Sequence, residues 1–335
     1  MRMSRRDFLK LTAAVGALAT TDSVYIDKAL AGNGDPRMVW LQGQGCSGCS
    51  VSLLNSITMT TVDDLLLNKV NLQYHSTLIA AAGDVAFRQA TRPHPSPLDL
   101  ARFSSEWLGN RENLQFDQNA DGVVNFIDFA ALAAQGYILV VEGAIPLGAE
   151  GHFCHVGGGM TMVEAFDRFS EKATHVLAIG TCAAYGGIVG AAPNPTEALG
   201  VRDALEKLGR SKPVINMPGC PAHPDWFVGT ALTLLAEGRP PELDGDGRPT
   251  AYYGTKVHST CPLRDEPRAR TLGEQGCLID LGCKGKRTYA DCPYRKWNSG
   301  APGATGVNWC VGARTPCHGC TEADFPDGKT PFYNL

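Results

Sequence analysis

The sequence predicts an α/β fold, a flavodoxin-like doubly wound parallel sheet followed by a coil-rich C-terminal region. As far as residue 240, short apolar runs rich in β-branched residues alternate with segments of helical periodicity. Beyond that point the chain is rich in cysteine, glycine and proline and shows little periodicity. Alternating strands and helices are typical of a parallel sheet with helices on both faces.

Five strands and six helices are predicted in the first part of the chain. The strands lie at residues 38–42, 70–75, 137–142, 175–180 and 213–217. The helices lie at residues 50–56, 62–67, 83–90, 161–172, 196–208 and 225–236. We therefore expect a flavodoxin-like domain at residues 32–240 and a C-terminal domain at residues 241–335. Something other than an apolar core must hold the second domain together.

The N-terminus predicts the compartment. Arg5-Arg6 followed by Phe8-Leu9 forms a twin-arginine signal, and a short apolar stretch follows at residues 11–19. Ala29-Leu30-Ala31 is a small-residue cleavage site, so residues 1–31 are predicted to be a signal peptide. The twin-arginine route carries folded proteins to the bacterial periplasm, often with cofactors inserted. A plain basic leader for unfolded export is the alternative.

The overall charge and the lengths of the apolar stretches after the signal bear on which partners the protein could have. The chain has 335 residues, a net charge of -4 and 19% charged residues, which gives no reason to expect nucleic acid as a partner. No later stretch approaches 18 apolar residues, so no C-terminal membrane anchor is expected.

An inserted segment at residues 92–136 interrupts the α/β pattern. After a helix predicted at residues 98–108, it carries oxygen ligands at the spacing of a calcium loop, with Gly122 at the sharp turn. The candidate ligands are Asp117, Asn119, Asp121, the carbonyl of Val123, Asn125 and Asp128. Aspartate at the last position resembles a dockerin loop more than a calmodulin loop. If it binds calcium, the segment is either a surface loop held in place by the ion or a module that docks another protein. The alternative to calcium binding is a degenerate acidic loop that caps the helix starting near Asn125.

Four cysteines are expected to meet at one rim of the sheet. Cys46 and Cys49 follow the first strand, Cys182 follows the fourth and Cys220 follows the fifth. The carboxyl ends of parallel strands share one edge of a sheet, where ligands bind. Four thiols suit a cubane [4Fe-4S] cluster or a structural zinc ion, and the position at a binding rim favours the cluster. Taken alone, Cys46 and Cys49 also match a redox disulfide.

The C-terminal region holds two further groups of metal-ligand type. The first contains one histidine and three cysteines, His258, Cys261, Cys277 and Cys283. The second contains four cysteines, Cys292, Cys310, Cys317 and Cys320. Metal binding would explain how a region without periodic apolar residues folds, since binding free energy becomes folding free energy. Cys154 belongs to no group, and although His152 and His155 flank it, we expect an inert thiol.

The motifs together resemble those of the small subunits of periplasmic nickel–iron hydrogenases. The resemblance runs from Met38 to Pro331 apart from the calcium-loop insertion, and its motifs occur in the family's order. They are Gln-Gly-Cys46-Ser-Gly-Cys49, Val-Glu142-Gly-Ala-Ile-Pro146, Gly-Thr-Cys182-Ala, Pro-Gly-Cys220-Pro, His258-x-x-Cys261-Pro, Gly-Cys277, Leu-Gly-Cys283-Lys-Gly and Cys317-x-Gly-Cys320.

The resemblance implies that this chain is one subunit of a hydrogenase heterodimer. Hydrogen would be split at a nickel–iron centre in the large subunit, and this chain would carry the electrons from that centre to an acceptor such as a c-type cytochrome. It implies a proximal [4Fe-4S] cluster on Cys46, Cys49, Cys182 and Cys220, a distal [4Fe-4S] cluster on His258, Cys261, Cys277 and Cys283, and a medial cluster on Cys292, Cys317 and Cys320. Many members carry proline at the position of Cys310 and a [3Fe-4S] medial cluster. Cys310 therefore predicts a medial [4Fe-4S] cluster, a feature shared with nickel–iron–selenium members.

Three further expectations follow from the resemblance. Oxygen-tolerant members carry two additional cysteines, and the matching positions here are Gly48 and Gly187, so an oxygen-sensitive enzyme is expected. Glu142 is either part of an interface or proton path, or a helix-capping or salt-bridged carboxylate. Two other functions remain open: a periplasmic iron–sulfur electron-transfer protein without a hydrogenase partner, and a disulfide-rich protein with a calcium-dependent docking module.

Overall fold

The computed structural model describes residues 36–75, 136–156, 159–299 and 304–334. Some of the predicted features fall outside these residues. They are the signal peptide, the helices at residues 83–90 and 98–108, and all six calcium ligands, Asp117, Asn119, Asp121, Val123, Asn125 and Asp128. They stay predictions.

Within the described ranges, a five-stranded parallel sheet forms the centre of the fold. Its strands are β1 (Arg37–Gln42), β2 (Asn71–His75), β3 (Tyr137–Glu142), β5 (Ala173–Ile179) and β7 (Val214–Met217). They are arranged in the order β2-β1-β3-β5-β7, and every neighbouring pair is parallel. This is the flavodoxin order, in which the first two strands are exchanged relative to the sequence. The predicted fold class is confirmed.

Both faces of the sheet are buried because successive side chains of each strand enter different cores. Trp40, Val140 and Leu177 point into one apolar cluster, whereas Leu41 and Val141 point into the other. Strands buried on both sides show continuous apolar runs instead of polar–apolar alternation. This explains why all five strands could be recognised in the sequence.

Seven helices of differing length connect and cover the strands in the part of the chain that the structure describes before residue 255. They are α1 (Gly48–Leu53), α2 (Val62–Asp64, continued by a π turn at Leu65–Lys69), α3 (Met162–Lys172), α4 (Gly180–Tyr185), α5 (Val201–Lys207), α6 (Pro224–Glu237) and α7 (Thr250–Tyr253). α3 begins with a capping box, in which the Thr161 side chain accepts a hydrogen bond from the Glu164 amide and the Glu164 carboxylate accepts one from the Thr161 amide. α6 ends at Gly238 in the left-handed conformation.

The helix predicted at residues 196–208 is too long at its N-terminus, since α5 begins only at Val201. The preceding residues pair with a distant segment instead. β4 (Ile145–Pro146) and β6 (Ala198–Leu199) form an antiparallel pair, and the Leu147 amide donates to the Glu197 carbonyl at 3.2 Å. These backbone groups are therefore not available for a helix.

The C-terminal region consists of short helices and turns, as predicted. It contains α8 (Val257–Thr260), α9 (Cys292–Arg295) and three 3₁₀ turns, at Ile279–Leu281, Gly285–Arg287 and Asp327–Lys329. Its apolar residues extend the core on one face of the sheet. The Trp226 ring of α6 lies 5.0 Å from the Tyr253 ring and 5.9 Å from the Trp297 ring. None of the helices in the described ranges is both long and apolar enough to cross a membrane.

Candidate metal centres

Every cysteine of the chain is a free thiol. No disulfide joins Cys46 to Cys49, and the disulfide-rich interpretation of the sequence is therefore wrong for this structure. Most of these thiols are at least partly buried. Burial raises the pKa of nine of them because a thiolate loses hydration, and these nine are Cys49, Cys154, Cys182, Cys220, Cys261, Cys292, Cys310, Cys317 and Cys320. In the described ranges, no three His, Cys, Asp or Glu side chains are arranged to hold a single metal ion.

The structure brings the four rim cysteines together as the fold predicts. Cys46 and Cys49 lie at the start of α1, Cys182 lies in α4, and Cys220 follows β7. Burial raises the pKa of the Cys220 thiol, and the neighbouring Cys182 and Cys46 raise it further. The Cys49 pKa is likewise raised by burial and then by Glu142, Cys182 and Cys46. Cys46 and Cys182 therefore lie within electrostatic reach of both Cys49 and Cys220.

Close backbone approach holds this group together. Gly180 has a φ of +84°, and a β-carbon placed on it would lie 2.5 Å from the Cys49 sulfur. Only glycine fits such a position without displacing the thiol. The backbone N–H groups of Ile188 and Val189 hydrogen-bond the Cys182 sulfur and partly offset the rise in its pKa that burial causes.

Glu142 lies at the end of β3 with 1% of its surface exposed. Its carboxylate accepts hydrogen bonds from the backbone amides of Cys49 and Ser50, both at 3.0 Å, and from the Trp40 indole at 3.1 Å. The Ser50 hydroxyl also donates to it. Glu142 is therefore a helix-capping residue: its carboxylate satisfies the free amides at the start of α1 and positions Cys49.

The second group contains Cys292, Cys310, Cys317 and Cys320. Burial raises the pKa of Cys292, and the charges of Cys320, Cys317 and Cys310 raise it further. Burial and then the charge of Cys283 raise the pKa of Cys317 to about 12. Cys310 is the most exposed of the four but lies close enough to act on each of the other three. The structure thus places Cys310 beside the three cysteines on which the resemblance would place the medial cluster.

The third group lies near the surface around Cys283. Burial raises the pKa of Cys261, and the neighbouring Cys283 and Cys277 raise it further. α8, which carries His258, lies against the 3₁₀ turn that follows Cys283. Burial lowers the pKa of His258, and the charges of Lys286 and Arg264 lower it further, which favours the neutral imidazole that binds metals.

Hydrogen bonds connect the three groups in a row. The backbone of Cys220 donates to the sulfur of Cys320, which joins the first group to the second. The Cys317 amide lies 3.4 Å from the sulfur of Cys283 and donates to it, which joins the second group to the third. These links were not predicted, because the residues involved are far apart in the sequence.

Thr181 adds a further link that sequence reasoning missed. Its hydroxyl donates to the carbonyl of Cys320 and accepts a hydrogen bond from the Gly219 amide at 2.9 Å. The Thr181 amide donates to the Gly219 carbonyl at 3.0 Å. One buried side chain thus joins the residues next to Cys182 and Cys220 to Cys320. Its position immediately before Cys182 is the only signal that the sequence offered.

Cys154 stands apart from the three groups. It packs against the core on the other face of the sheet, and burial raises its pKa without a contribution from another cysteine. The flanking His152 and His155 rings approach each other at the surface, with Nδ1 and Nε2 3.4 Å apart. This agrees with the expectation of an inert thiol.

Three family models match the chain. The model described as NADH ubiquinone oxidoreductase, 20 Kd subunit, matches residues 46–234. The model for the C-terminal part of the NiFe/NiFeSe hydrogenase small subunit matches residues 253–333. The model for the twin-arginine translocation pathway signal sequence matches residues 2–21, where the sequence predicts that signal.

Curated relatives match over nearly the whole chain. The periplasmic [NiFeSe] hydrogenase small subunit of Desulfomicrobium baculatum is 36% identical, over 99% of this chain and 99% of the relative. The periplasmic [NiFe] hydrogenase small subunit 1 of Nitratidesulfovibrio vulgaris is 34% identical, over 99% of this chain and 93% of the relative. The crystal structure of a reduced, active form of the Ni-Fe-Se hydrogenase from Desulfomicrobium baculatum has a chain that is 36% identical, with a TM-score of 0.72 over 90% of this chain and 99% of that one.

Proposed function

The chain belongs to the family of nickel–iron and nickel–iron–selenium hydrogenase small subunits, and on this premise we propose that its three cysteine groups form the path by which electrons cross the molecule. Members of this family are the electron-transfer subunits of heterodimeric hydrogenases, which interconvert H₂ with two protons and two electrons. The partner of this chain is therefore a large subunit, and the family carries iron–sulfur clusters.

The observation that supports the proposal is the connected row of thiols. Cys46, Cys49, Cys182 and Cys220 would hold the proximal cluster. Cys292, Cys310, Cys317 and Cys320 would hold the medial cluster. His258, Cys261, Cys277 and Cys283 would hold the distal cluster. The Cys220–Cys320 and Cys317–Cys283 hydrogen bonds support this order independently of the family.

The donor sets fit the proposed clusters. Thiolate is the usual ligand of iron–sulfur clusters, and bound iron offsets both the desolvation and the mutual repulsion that disfavour these thiolates in the free chain. When bound, the clusters supply one-electron carriers between the large subunit and the surface. The chain's own groups hold the ligands in position and donate N–H bonds to sulfur, as Ile188 and Val189 do at Cys182. Burial or partial burial of most of the thiols limits the access of water.

The exit site is proposed at His258, since it is half-buried and its group lies near the surface. A c-type cytochrome or a similar carrier would receive electrons there. The twin-arginine signal and the periplasmic relatives support a location in the periplasm. With the proposed domain boundary at residue 240, the medial and distal groups would both belong to the second domain.

The medial group offers the sharpest test. We expect Cys310→Ala to convert a medial [4Fe-4S] cluster into a [3Fe-4S] cluster, because one iron loses its thiolate. The measurement is electron paramagnetic resonance of the oxidised heterodimer together with its iron content. Cys154→Ala removes a thiol outside the three groups and serves as the matched control. A [3Fe-4S] signal from the medial site of the unmodified protein would contradict the assignment of Cys310.

The proximal site is proposed to be an ordinary cubane that makes the enzyme sensitive to oxygen. No cysteine occupies positions 48 or 187. A β-carbon at Gly48 would lie 3.1 Å from the Cys46 sulfur, and one at Gly187 would lie 3.0 Å from the Cys182 sulfur. Both positions therefore adjoin ligand sulfurs. Sustained H₂ oxidation in air by the purified heterodimer would contradict this proposal.

The insertion at residues 92–136 is proposed to bind Ca²⁺ through the six oxygen ligands identified in the sequence, either as a staple or as a docking module. The test is calorimetric titration of the calcium-free heterodimer with Ca²⁺. We expect Asp117→Ala together with Asp121→Ala to abolish binding, whereas Asp246→Ala, an acidic change elsewhere, leaves it unchanged. Unaltered Ca²⁺ affinity in the double variant would refute the site.

A further inference from the structure

The surface beside Cys283 carries an open depression of about 320 Å³. Three of the side chains that line it are cationic, Lys284, Lys286 and Arg287. No acidic side chain lines it within the described part of the chain. The depression therefore combines direct access to a proposed distal ligand with a lining whose charged side chains, among the described residues, are all cationic.

None of these three cations forms an ion pair in the part of the chain that the structure describes, and the Lys284 ammonium instead donates a hydrogen bond to the Pro331 carbonyl at 2.7 Å. Lys286 and Arg287 are exposed, and neither forms an ion pair with a carboxylate among the described residues. Other cations of the same region are neutralised. Arg264 lies 2.9 Å from an Asp265 oxygen, and Arg268 lies 3.0 Å from an Asp280 oxygen.

The distal region as a whole has the opposite charge to the rest of the chain. Residues 255–290 contain seven lysines and arginines against four aspartates and glutamates, a net charge of +3, whereas the whole chain carries -4. Positive charge is thus concentrated around the group that holds His258 and Cys283. Charge of one sign around a binding patch raises the association rate of partners with the opposite sign.

We propose that the electron acceptor is a small redox protein with an acidic docking face, whose carboxylates contact Lys286 and Arg287 over the depression beside Cys283. This inference rests on the proposed function, in which the distal group is the exit for electrons. The depression is the size of a few side chains and not of a protein. It therefore receives the acidic side chains at the centre of the partner's face, while the remaining contacts lie around it.

The test uses the heterodimer and two probe acceptors, a plant-type [2Fe-2S] ferredoxin of negative net charge and a mitochondrial cytochrome c of positive net charge. The variant is Lys286→Glu combined with Arg287→Glu. The control is Lys207→Glu, which makes the same kind of change at an exposed residue of α5. Rates of acceptor reduction with H₂ are normalised to the iron content of each preparation.

We expect the double variant to reduce ferredoxin about tenfold more slowly at low ionic strength and to reduce cytochrome c faster, with both differences shrinking as salt is added. The Lys207→Glu control should stay within about twofold of the unmodified protein. A ferredoxin rate in the double variant that equals the control rate would overturn the proposal, as would a rate that rises. If the heterodimer failed to oxidise H₂ with every acceptor supplied, including benzyl viologen, that result would instead contradict the proposed function itself.

Discussion

Glu142→Gln should loosen the start of α1 and release Cys46 and Cys49, the ligands proposed for the proximal cluster. The carboxylate accepts hydrogen bonds from two backbone amides, an indole and a hydroxyl, and almost none of it is exposed. A glutamine offers one acceptor oxygen and turns an NH₂ group toward the remaining donors. Hydrogen bonds to a charged group each contribute about 1.5–3 kcal/mol, and an amide left unsatisfied in the interior costs a similar amount.

Two weakened hydrogen bonds and one unfavourable contact together lower the free energy of unfolding by about 3 kcal/mol or more. This figure allows for the lower cost of burying a neutral glutamine in place of a charged glutamate. Such a loss lowers the thermal midpoint by about 5–10 °C for a domain of this size. The assay is thermal unfolding of the heterodimer, followed by iron content after incubation at 37 °C.

Two further variants test whether the loss of stability in Glu142→Gln comes from losing the negative charge at this position. Glu142→Asp keeps the charge but shortens the side chain, so we expect a smaller loss than with glutamine. Glu206→Gln changes an exposed glutamate on α5 and should leave the midpoint unchanged. A Glu142→Gln protein that melts within about 1 °C of the unmodified protein and keeps its iron would refute the capping role.

Three further predictions concern buried polar groups away from Glu142. Thr181→Val removes the hydroxyl that joins Gly219 to Cys320 and should weaken magnetic coupling between the proximal and medial clusters in electron paramagnetic resonance, whereas Thr181→Ser should preserve it. Arg248→Met should destabilise the heterodimer by about 3 kcal/mol in denaturant titration, since Arg248 is 4% exposed and its loss leaves the Asp244, Asp246 and Glu322 carboxylates without their cation. Burial lowers the pKa of His223 to about 4. As the pH falls below 6.5, this histidine therefore takes up a proton in the unfolded chain before it does so in the folded chain. The free energy of unfolding should fall by about 3 kcal/mol between pH 6.5 and pH 4. The melting temperature of His223→Gln should fall less steeply over that interval, and an equal slope would count against this assignment.

The sequence predicted the sheet and its cysteine rim because these depend on local signals and one general rule. Continuous apolar runs marked strands buried on both faces, and the rule that ligands bind at the carboxyl ends of parallel strands placed Cys46, Cys182 and Cys220 together. The helix predicted at residues 161–172 likewise begins within one residue of α3. These features can be read from short windows of sequence.

The errors and omissions arose where distant backbone groups meet. The predicted start of α5 at residue 196 is wrong because the carbonyls of Thr196 and Glu197 accept hydrogen bonds from the amides of Gly148 and Leu147. The Thr181–Cys320 contact spans 139 residues, and no local pattern indicates it. Nor could composition show that Lys286 and Arg287 lie beside Cys283 without an ion pair to any carboxylate that the structure describes, because pairing depends on which carboxylates the fold brings near.

The polar links between the cysteine groups also bear on how the C-terminal region stays attached to the sheet. The thiols proposed to hold the medial cluster lie in this region, yet Cys320 receives a hydrogen bond from Cys220, and its carbonyl receives one from Thr181, both next to the ends of sheet strands. Arg248 similarly donates to the Thr321 carbonyl at 3.1 Å. A ligand segment anchored in this way cannot shift without breaking bonds made by the proximal rim. Cluster binding at the proposed proximal and medial sites should therefore be cooperative, since each group orders backbone that the other requires.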